Sequence, residues 1–338
     1  HVFALQESLD AGRPVPASAA HLDRSLPWVP SLDITLAFRM DALSAFMSLI
    51  VLGVGALVLA YCARYFREHE AKDAVFGGQL LAFAGAMFGL VTTDDLMVLY
   101  TFWEITSVLS FLLIGYSGHR IFARRSAITA LIVTTVGGLA MLAGLIMLAH
   151  MAGSWRISGV LAAAPRLLAD DGGRVLLEVA VGLVLIGALT KSAQAPFHFW
   201  LPGAMAAPTP VSAYLHAAAM VKAGVFLVAR LAPEFHGLAM WQVLVIGVGL
   251  WTLLLGGWRA LRQTDVKLVL AYGTVSQLGF LMVANGLGVR DAALAGLAML
   301  LAHALFKAPL FMVVGIIDHE AGTRDLRELS GIGRRHPV

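Results

Sequence analysis

Long apolar runs follow one another through most of this sequence, and they constrain its fold more than any other feature. Nine such runs lie between residues 41 and 317, and most contain 18 or more residues. A helix needs about 20 mostly apolar residues to cross the hydrocarbon core of a bilayer. Charged residues make up 13% of the chain, against about a quarter in soluble domains. The sequence therefore predicts an all-α polytopic membrane protein.

The fifth run differs from the others in length. We place the predicted spans near residues 41–61, 75–92, 96–116, 127–150, 175–206, 210–230, 239–260, 267–287 and 292–317. The fifth contains "QAPF" in its interior and ends at "APTP". Proline removes a helical hydrogen bond and disrupts the turn before it. We therefore predict a discontinuous helix here, which a bilayer tolerates only where protein or a wet cavity covers the irregular backbone.

Several other classes of protein are excluded by the same composition. The period-two alternation of a transmembrane barrel is absent from the apolar runs. Arginines occur singly or in short clusters, which is not the pattern of a nucleic-acid-binding surface. Cys62 is the only cysteine, so this chain cannot build a disulfide, an iron–sulfur cluster or a cysteine zinc site by itself. We expect neither a cofactor nor a metal.

Lysine and arginine residues in the loops predict the orientation, because cytoplasmic loops carry an excess of them. One side of the predicted topology has thirteen: Arg64, Arg67, Lys72, Arg120, Arg124, Arg125, Arg259, Arg262, Lys267, Arg324, Arg327, Arg334 and Arg335. The other side has five: Arg156, Arg166, Arg174, Arg230 and Arg290. The first side is therefore predicted to be cytoplasmic.

This orientation divides the chain into three parts. Residues 1–38 are polar and proline-rich and are expected to form an extracytoplasmic loop. Residues 39–318 form the transmembrane domain. Residues 319–338 form a polar cytoplasmic loop that stops abruptly, and we expect the sequence to be a fragment of a longer protein.

A small set of ionisable side chains falls inside the predicted spans. The set consists of Glu104, Lys191, Lys222, Lys307, His216 and His303. A charge at the bilayer centre costs about 3 kcal/mol on insertion scales, and such residues usually mark ion or proton routes. Lysine, unlike arginine, can release its proton when it is desolvated. We predict that the glutamate and the three lysines carry protons and that the two histidines relay them.

More ordinary interpretations of these residues remain open. Lys191 and Glu104 could form a static buried ion pair. His303 and Lys307 share a helix face because they are four residues apart, whereas His216 and Lys222 do not. Each histidine could simply be hydrogen-bonded to a neighbour. A zinc site is not expected, because the carboxylates and thiols to complete it are missing.

Other features predict helix starts and close packing. Asp41 and Glu178 lie at predicted helix starts, where a carboxylate is favourable. Asp265 in "RQTDVK" is predicted to cap a helix after a cytoplasmic turn that also contains Lys267. The glycine-rich stretches "GVGAL" and "GGLAMLAG" are typical of close contact between transmembrane helices.

Four sequence blocks resemble a known family. They are "TKSAQAPFHFWLPGAMAAPTPVSAYLHAAAMVKAG" (190–224), "YTFWEITSVLSFLLIGY" (100–116), "QTDVKLVLAYGTVSQLGF" (263–280) and "HALFKAPLFMVVG" (303–315). They closely resemble the antiporter-like membrane subunits shared by Mrp-type cation/proton antiporters and respiratory complex I. The resemblance implies a fold of two inverted five-helix repeats, each forming a proton half-channel. The first repeat would occupy about 75–230, and the second would begin at about 239–317.

The resemblance also implies roles and partners. Glu104 and Lys191 match the family's glutamate–lysine couple, Lys222 and His216 match the next helix, and His303 with Lys307 matches a connecting block. Two spans before His1 and a second broken helix after residue 338 would be missing from this chain.

Within the family, the sequence around Lys222 resembles that of the large subunit of the Mrp-type antiporters more than that of the complex I subunits. The implied function is that of a transporter subunit, not an enzyme, which moves protons in exchange for Na⁺, with K⁺ and Li⁺ as the other candidate cations. It would act in the bacterial plasma membrane with other subunits of the complex. The alternative is a proton-pumping subunit of a NADH–quinone oxidoreductase or membrane-bound hydrogenase. A third class, a non-transporting scaffold, would use the buried charges only to hold neighbouring subunits.

Overall fold

The protein is a bundle of long helices with a small β-hairpin at one end. The computed structural model describes residues 22–29, 34–66 and 71–331. The strands are β1 (Leu22–Val29) and β2 (Ile34–Met40). The helices are α1 (Ala42–Tyr65), α2 (Ala71–Thr92), α3 (Leu96–Ile114), α4 (Ile121–Ala152), α5 (Ile157–Ala169), α6 (Arg174–Lys191), α7 (Thr209–Ala217), α8 (Lys222–Phe235), α9 (Ala239–Ala260), α10 (Val266–Gly286) and α11 (Arg290–Ala321).

Eight of the nine predicted spans are confirmed as helical segments long and apolar enough to cross a membrane. Within the described residues, eight helical segments are long and apolar enough to do so. They coincide with eight of the nine predicted spans, α7 and α8 together forming one of them. The fifth predicted span begins with α6, which is more polar because it carries Arg174, Glu178 and Lys191. The chain is therefore a multi-pass helical membrane protein.

The predicted break in the fifth span is confirmed. The regular helix α6 ends at Lys191, and residues 192–196 are irregular, with Ala193 in the left-handed region at a φ of 48°. Short helical turns then run from Phe197 to Ala206. The break thus begins directly after the lysine, four residues before Pro196.

The sixth span is also broken, which the sequence did not predict. We expected one helix over 210–230, but α7 ends at Ala217 and α8 begins at Lys222. Residues 218–221 form a turn between them and are completely buried. No proline or glycine lies in this turn, so nothing in the local sequence indicates the interruption.

Part of the expected N-terminal loop is a hairpin instead. β1 and β2 pair antiparallel from Leu22 opposite Met40, with an irregularity between Pro27 and Val29. The stretch "ITLAFRM" alternates apolar side chains with others, which suits a half-buried strand. The all-α prediction therefore needs this one correction. Residues 1–21 and 30–33 of the predicted loop lie outside the described residues.

The loops that were assigned to the same side do meet in space. We call the end of the bundle that bears Arg120, Arg124, Arg259, Arg262 and Arg324 the basic end. A pocket of about 640 Å³ there is lined by residues from the ends of α1, α3 and α11 and the starts of α4, α7 and α10. At the opposite end, Arg230 of α8 pairs with Asp41 before α1. The predicted alternation of helix directions is thus consistent with the structure, although Arg67, Arg334 and Arg335 lie outside the described residues.

The observed helix N-termini and the close contacts between helices agree largely with the predictions made from the sequence. Asp41 and Asp265 are N-caps of α1 and α10, and each accepts hydrogen bonds from backbone N–H groups of the first turn. Glu178 instead lies in the second turn of α6, because the helix already starts at Arg174, with which it pairs at 3.9 Å. A side chain at Gly144 would collide with the backbone of α6, so α4 and α6 pack closely there.

Candidate functional site

Lys191 lies at the centre of the bundle, where α6 ends. It is completely buried. Its Nζ donates hydrogen bonds to the Trp103 carbonyl oxygen (2.8 Å) and to Ser107 Oγ (2.7 Å), both on α3. It also lies 5.1 Å from the centroid of the Trp103 ring, which favours a cation. The ammonium group is therefore held by neutral groups.

Glu104 lies beside this lysine but does not pair with it directly. Among the ion pairs of residues 22–29, 34–66 and 71–331, none joins Glu104 to Lys191, although the two interact electrostatically. One carboxylate oxygen accepts a hydrogen bond from Thr135 Oγ1 at 3.3 Å. The other, Oε1, has no partner in the described part of the chain and packs against Gly138 of α4. The static ion pair left open by the sequence is therefore not formed between these two described residues.

The broken backbone after Lys191 is satisfied partly by α6 and partly by another helix. The N–H groups of residues 192–194 donate to carbonyl oxygens of α6. The Ala195 N–H donates to Thr252 Oγ1 of α9 at 2.9 Å. Trp200 Nε1 donates to the Thr190 carbonyl at 2.9 Å, which joins the short turns back to α6. These bonds hold the irregular segment in place inside the bundle.

Lys222 lies at the second break, as the first residue of α8. It is completely buried, and its Nζ donates to the Leu300 carbonyl of α11 at 2.9 Å. The carbonyl acceptor lies one helical turn from His303. Lys222 therefore connects the sixth span to the ninth.

His303 lies between two lysines. It is completely buried on α11, one turn before Lys307, as the spacing predicted. It interacts electrostatically with both Lys222 and Lys307. Neither ring nitrogen has a hydrogen-bond partner within the described residues. Lys307 Nζ in turn lies 3.4 Å from the Leu270 carbonyl of α10.

His216 is the predicted residue that lies apart from this series. Its ring packs between Trp200 and Phe311, with centroids 6.3 Å from each. Neither of its nitrogens has a partner in the described part of the chain. Its electrostatic neighbour is Lys267, not Lys222. His216 thus lies on a branch toward the basic end.

Lys267 is the buried lysine that sequence reasoning missed. We placed it in a cytoplasmic turn, but its side chain is 2% exposed and its Nζ donates to the Ala207 carbonyl at 2.7 Å. It is one of the residues that line the pocket at the basic end. The available signal was its position as the second residue of a helix, directly before the apolar stretch "LVLAYG".

The ionisable series consists of Glu104, Lys191, Lys222, His303 and Lys307. It runs from α3 past both helix breaks to α11. Its chemistry is that of amines, an imidazole and one carboxylate. In the described residues, no group of three or more histidine, cysteine, aspartate or glutamate side chains is placed to hold a metal ion.

Comparison with known proteins defines the class. Residues 93–338 match the family model described as "NADH:quinone oxidoreductase/Mrp antiporter, TM". Residues 27–76 match the model described as "NADH-Ubiquinone oxidoreductase (complex I), chain 5 N-terminus". The first match covers most of the chain, so the protein belongs to the NADH:quinone oxidoreductase/Mrp antiporter family, as the four sequence blocks indicated.

Within that family, the chain is similar to antiporter subunits. It is 47% identical to a probable K⁺/H⁺ antiporter subunit of Rhizobium meliloti, over 96% of this chain and 32% of that protein. It is 46% identical to an Na⁺/H⁺ antiporter subunit of Alkalihalophilus pseudofirmus, over 94% of this chain and 41% of that protein. The chain therefore spans a third to two fifths of the length of these relatives.

A solved structure agrees with these relatives. The fold matches a chain in the structure of the Mrp complex from Dietzia sp. DQ12-45-1b with a TM-score of 0.85 and 40% identity. The match covers 95% of this chain and 34% of that one.

Proposed function

We propose that this chain is the proton-translocating part of a subunit of a multisubunit monovalent cation/proton antiporter. The observation that carries the proposal is the series of four buried ionisable side chains and the half-buried Glu104 that lies along both broken helices. Its relatives named as antiporter subunits support the transport class over an enzyme. The names of these relatives specify different cations, K⁺ in one and Na⁺ in the other. We propose Na⁺ as the first ion to test.

Lys191 is the proposed loading site. A buried carboxylate in direct contact would fix the proton on the lysine, because an opposite charge favours the ammonium form. Here the ammonium is held by a carbonyl and a hydroxyl, so its charge depends on the more distant Glu104. A change in the position or protonation of Glu104 would therefore change the proton affinity of Lys191.

Onward transfer would use Lys222, His303 and Lys307. Buried polar atoms in proteins are almost always hydrogen-bonded, to protein or to ordered water. The unpartnered nitrogens of His303 lie between the two lysines, where water could link the three groups into a proton relay. His216 and Lys267 would serve as a side entrance from the pocket at the basic end.

The location and partners follow from the same proposal. We propose that the basic end faces the cytoplasm of a bacterial plasma membrane, as the excess of arginine and lysine there predicts. We also propose that residues 75–230 form the first inverted repeat and residues 239–317 the start of the second. Since the chain spans only part of its relatives, the complete path would need the remaining length and the partner subunits.

The competing function is proton pumping driven by electron transfer elsewhere in a respiratory complex. It is kept because the matching family model includes NADH:quinone oxidoreductases. It predicts proton movement on addition of NADH and no response to Na⁺. The identities of 46–47% to antiporter subunits favour the first function.

Inverted vesicles test the proposal. We would express the complete complex in an antiporter-deficient host, acidify the vesicle interior, add Na⁺ and follow a dye that reports ΔpH. Addition of Na⁺ should dissipate the pH gradient in wild-type vesicles but not in Lys191→Ala vesicles. Arg125→Ala should behave as wild type, because Arg125 is an exposed charge at the basic end. A full Na⁺ response in Lys191→Ala would refute the role of this lysine. A wild type that responds to NADH and not to Na⁺ would establish the competing function.

A further inference from the structure

The two helix breaks are tied to each other by one hydrogen bond. Ser192, the residue directly after α6, donates from Oγ to the carbonyl oxygen of Val221, the residue directly before α8, at 2.6 Å. Ser192 is completely buried, and so is Val221. We call this bond the clasp.

The clasp lies directly between the two central lysines. Lys191 immediately precedes Ser192, and Lys222 immediately follows Val221. The helices are pressed together at the same level, because a side chain on Gly224 would collide with the Ala188 carbonyl and with Ser192 Oγ. The end of α6 and the start of α8 therefore have little freedom to shift independently.

Nothing in the local sequence explains where α8 starts. The turn 218–221 contains neither proline nor glycine, so its residues have no local reason to leave the helix. Alanine and methionine would favour a continuous helix through this point. A contact from outside the span must therefore help to keep the break open, and Ser192 supplies one.

We propose that Ser192 is a positioning residue that couples the two breaks, so that a movement at Lys191 is transmitted to Lys222. The proposal rests on the proposed function, because it assigns the coupling to the proton path. Ser192 itself need not exchange a proton. It acts by setting where Lys222 starts its helix and where its ammonium meets α11.

Hydrogen–deuterium exchange on the purified full-length complex tests the clasp. The variants are Ser192→Ala, Ser192→Thr, which keeps the hydroxyl, and Thr134→Val, which removes a buried hydroxyl bonded only within its own helix. Loss of one buried hydrogen bond corresponds to about a two- to tenfold increase in the equilibrium constant for local opening, and so in the exchange rate. We expect faster exchange over 217–224 in Ser192→Ala alone. Unchanged exchange there would overturn the clasp.

Transport assays on the same variants test the coupling. Ser192→Ala should lower the Na⁺ response and shift its pH profile, and Ser192→Thr should restore both. In a Lys222→Gln background, Ser192→Ala should add nothing, because the serine acts through that lysine. A normal pH profile in Ser192→Ala would overturn the coupling even if the exchange data confirm the clasp. A wild type without a Na⁺ response would refute the proposed function and leave the exchange result standing.

Discussion

At the scale of single residues, small side chains determine where the ionisable ones lie. Gly137 and Gly138 on α4 lie against Thr190 and Glu104, with no room for a β-carbon. The carboxylate of Glu104 is thereby placed between α3 and α4, one turn from the serine that holds Lys191. The glycine-rich stretch "GGLAMLAG" was predicted to give close packing, and the structure shows that the packed group is the proposed charge partner itself.

Gly138→Ala should therefore impair transport more than it impairs folding. The new methyl group would collide with Glu104 Oε1 and displace the carboxylate, and overpacking of this kind typically costs about 1–3 kcal/mol. We expect a strongly reduced Na⁺ response in inverted vesicles with a modest fall in the thermal unfolding midpoint in detergent. Gly53→Ala is the control, because the space around Gly53 is open. Equal activity of the two variants would contradict this placement of Glu104.

At the scale of elements, the irregular backbone of the fifth span depends on its neighbour α9. Thr252 Oγ1 accepts the N–H of Ala195 and donates to the Val248 carbonyl of its own helix. A buried N–H without a partner costs about 1–3 kcal/mol. The position of α9 thus contributes to the stability of the break beside Lys191.

Thr252→Val should loosen that break, because valine has the same shape without an acceptor. We expect a lower unfolding midpoint in detergent and faster hydrogen–deuterium exchange at residues 192–196. Thr252→Ser should restore both measurements, and Thr134→Val should change exchange only within α4. If Thr252→Val left exchange at the break unchanged, the bond to Ala195 would not be what holds it.

The two breaks differ in how far sequence could predict them. The break near Lys191 is marked by Pro196 and by an overlong apolar run, and both are local signals. The break before Lys222 has no local signal and is supported by a contact from Ser192, which lies 29 positions earlier in the chain than its acceptor. Burial of Lys267 was missed for a similar reason, because its acceptor, Ala207, lies between the fifth and sixth spans, 60 positions earlier in the chain. Sequence thus predicted the spans and their titratable residues, but not contacts between distant segments.

At the scale of the whole molecule, the loops separate into two ends with different chemistry. The basic end contains the large pocket and the buried Lys267. The opposite end contains the hairpin, the amphipathic helix α5 and the ion pair between Arg230 and Asp41. This asymmetry gives the orientation a direct test.

Single cysteines should report the orientation in intact cells. Cys62 is the only native cysteine and would first be replaced by serine. Asp171→Cys, in an exposed loop at the opposite end, should react with a membrane-impermeant maleimide in intact cells. His119→Cys, exposed at the basic end, should react only after permeabilisation. The reverse pattern would show that the basic end faces outward.

The complete enclosure of Lys191 and Lys222 has a consequence for the cell's energy supply. A permanently wet channel along this route would short-circuit the membrane, because protons would flow down their gradient without exchanging for another ion. Because both lysines are completely buried within the described residues, no continuous water path for protons reaches them in this conformation. In the proposed function, a proton current must wait for the bundle to admit water, and the frequency of that event sets the balance between transport rate and proton leakage.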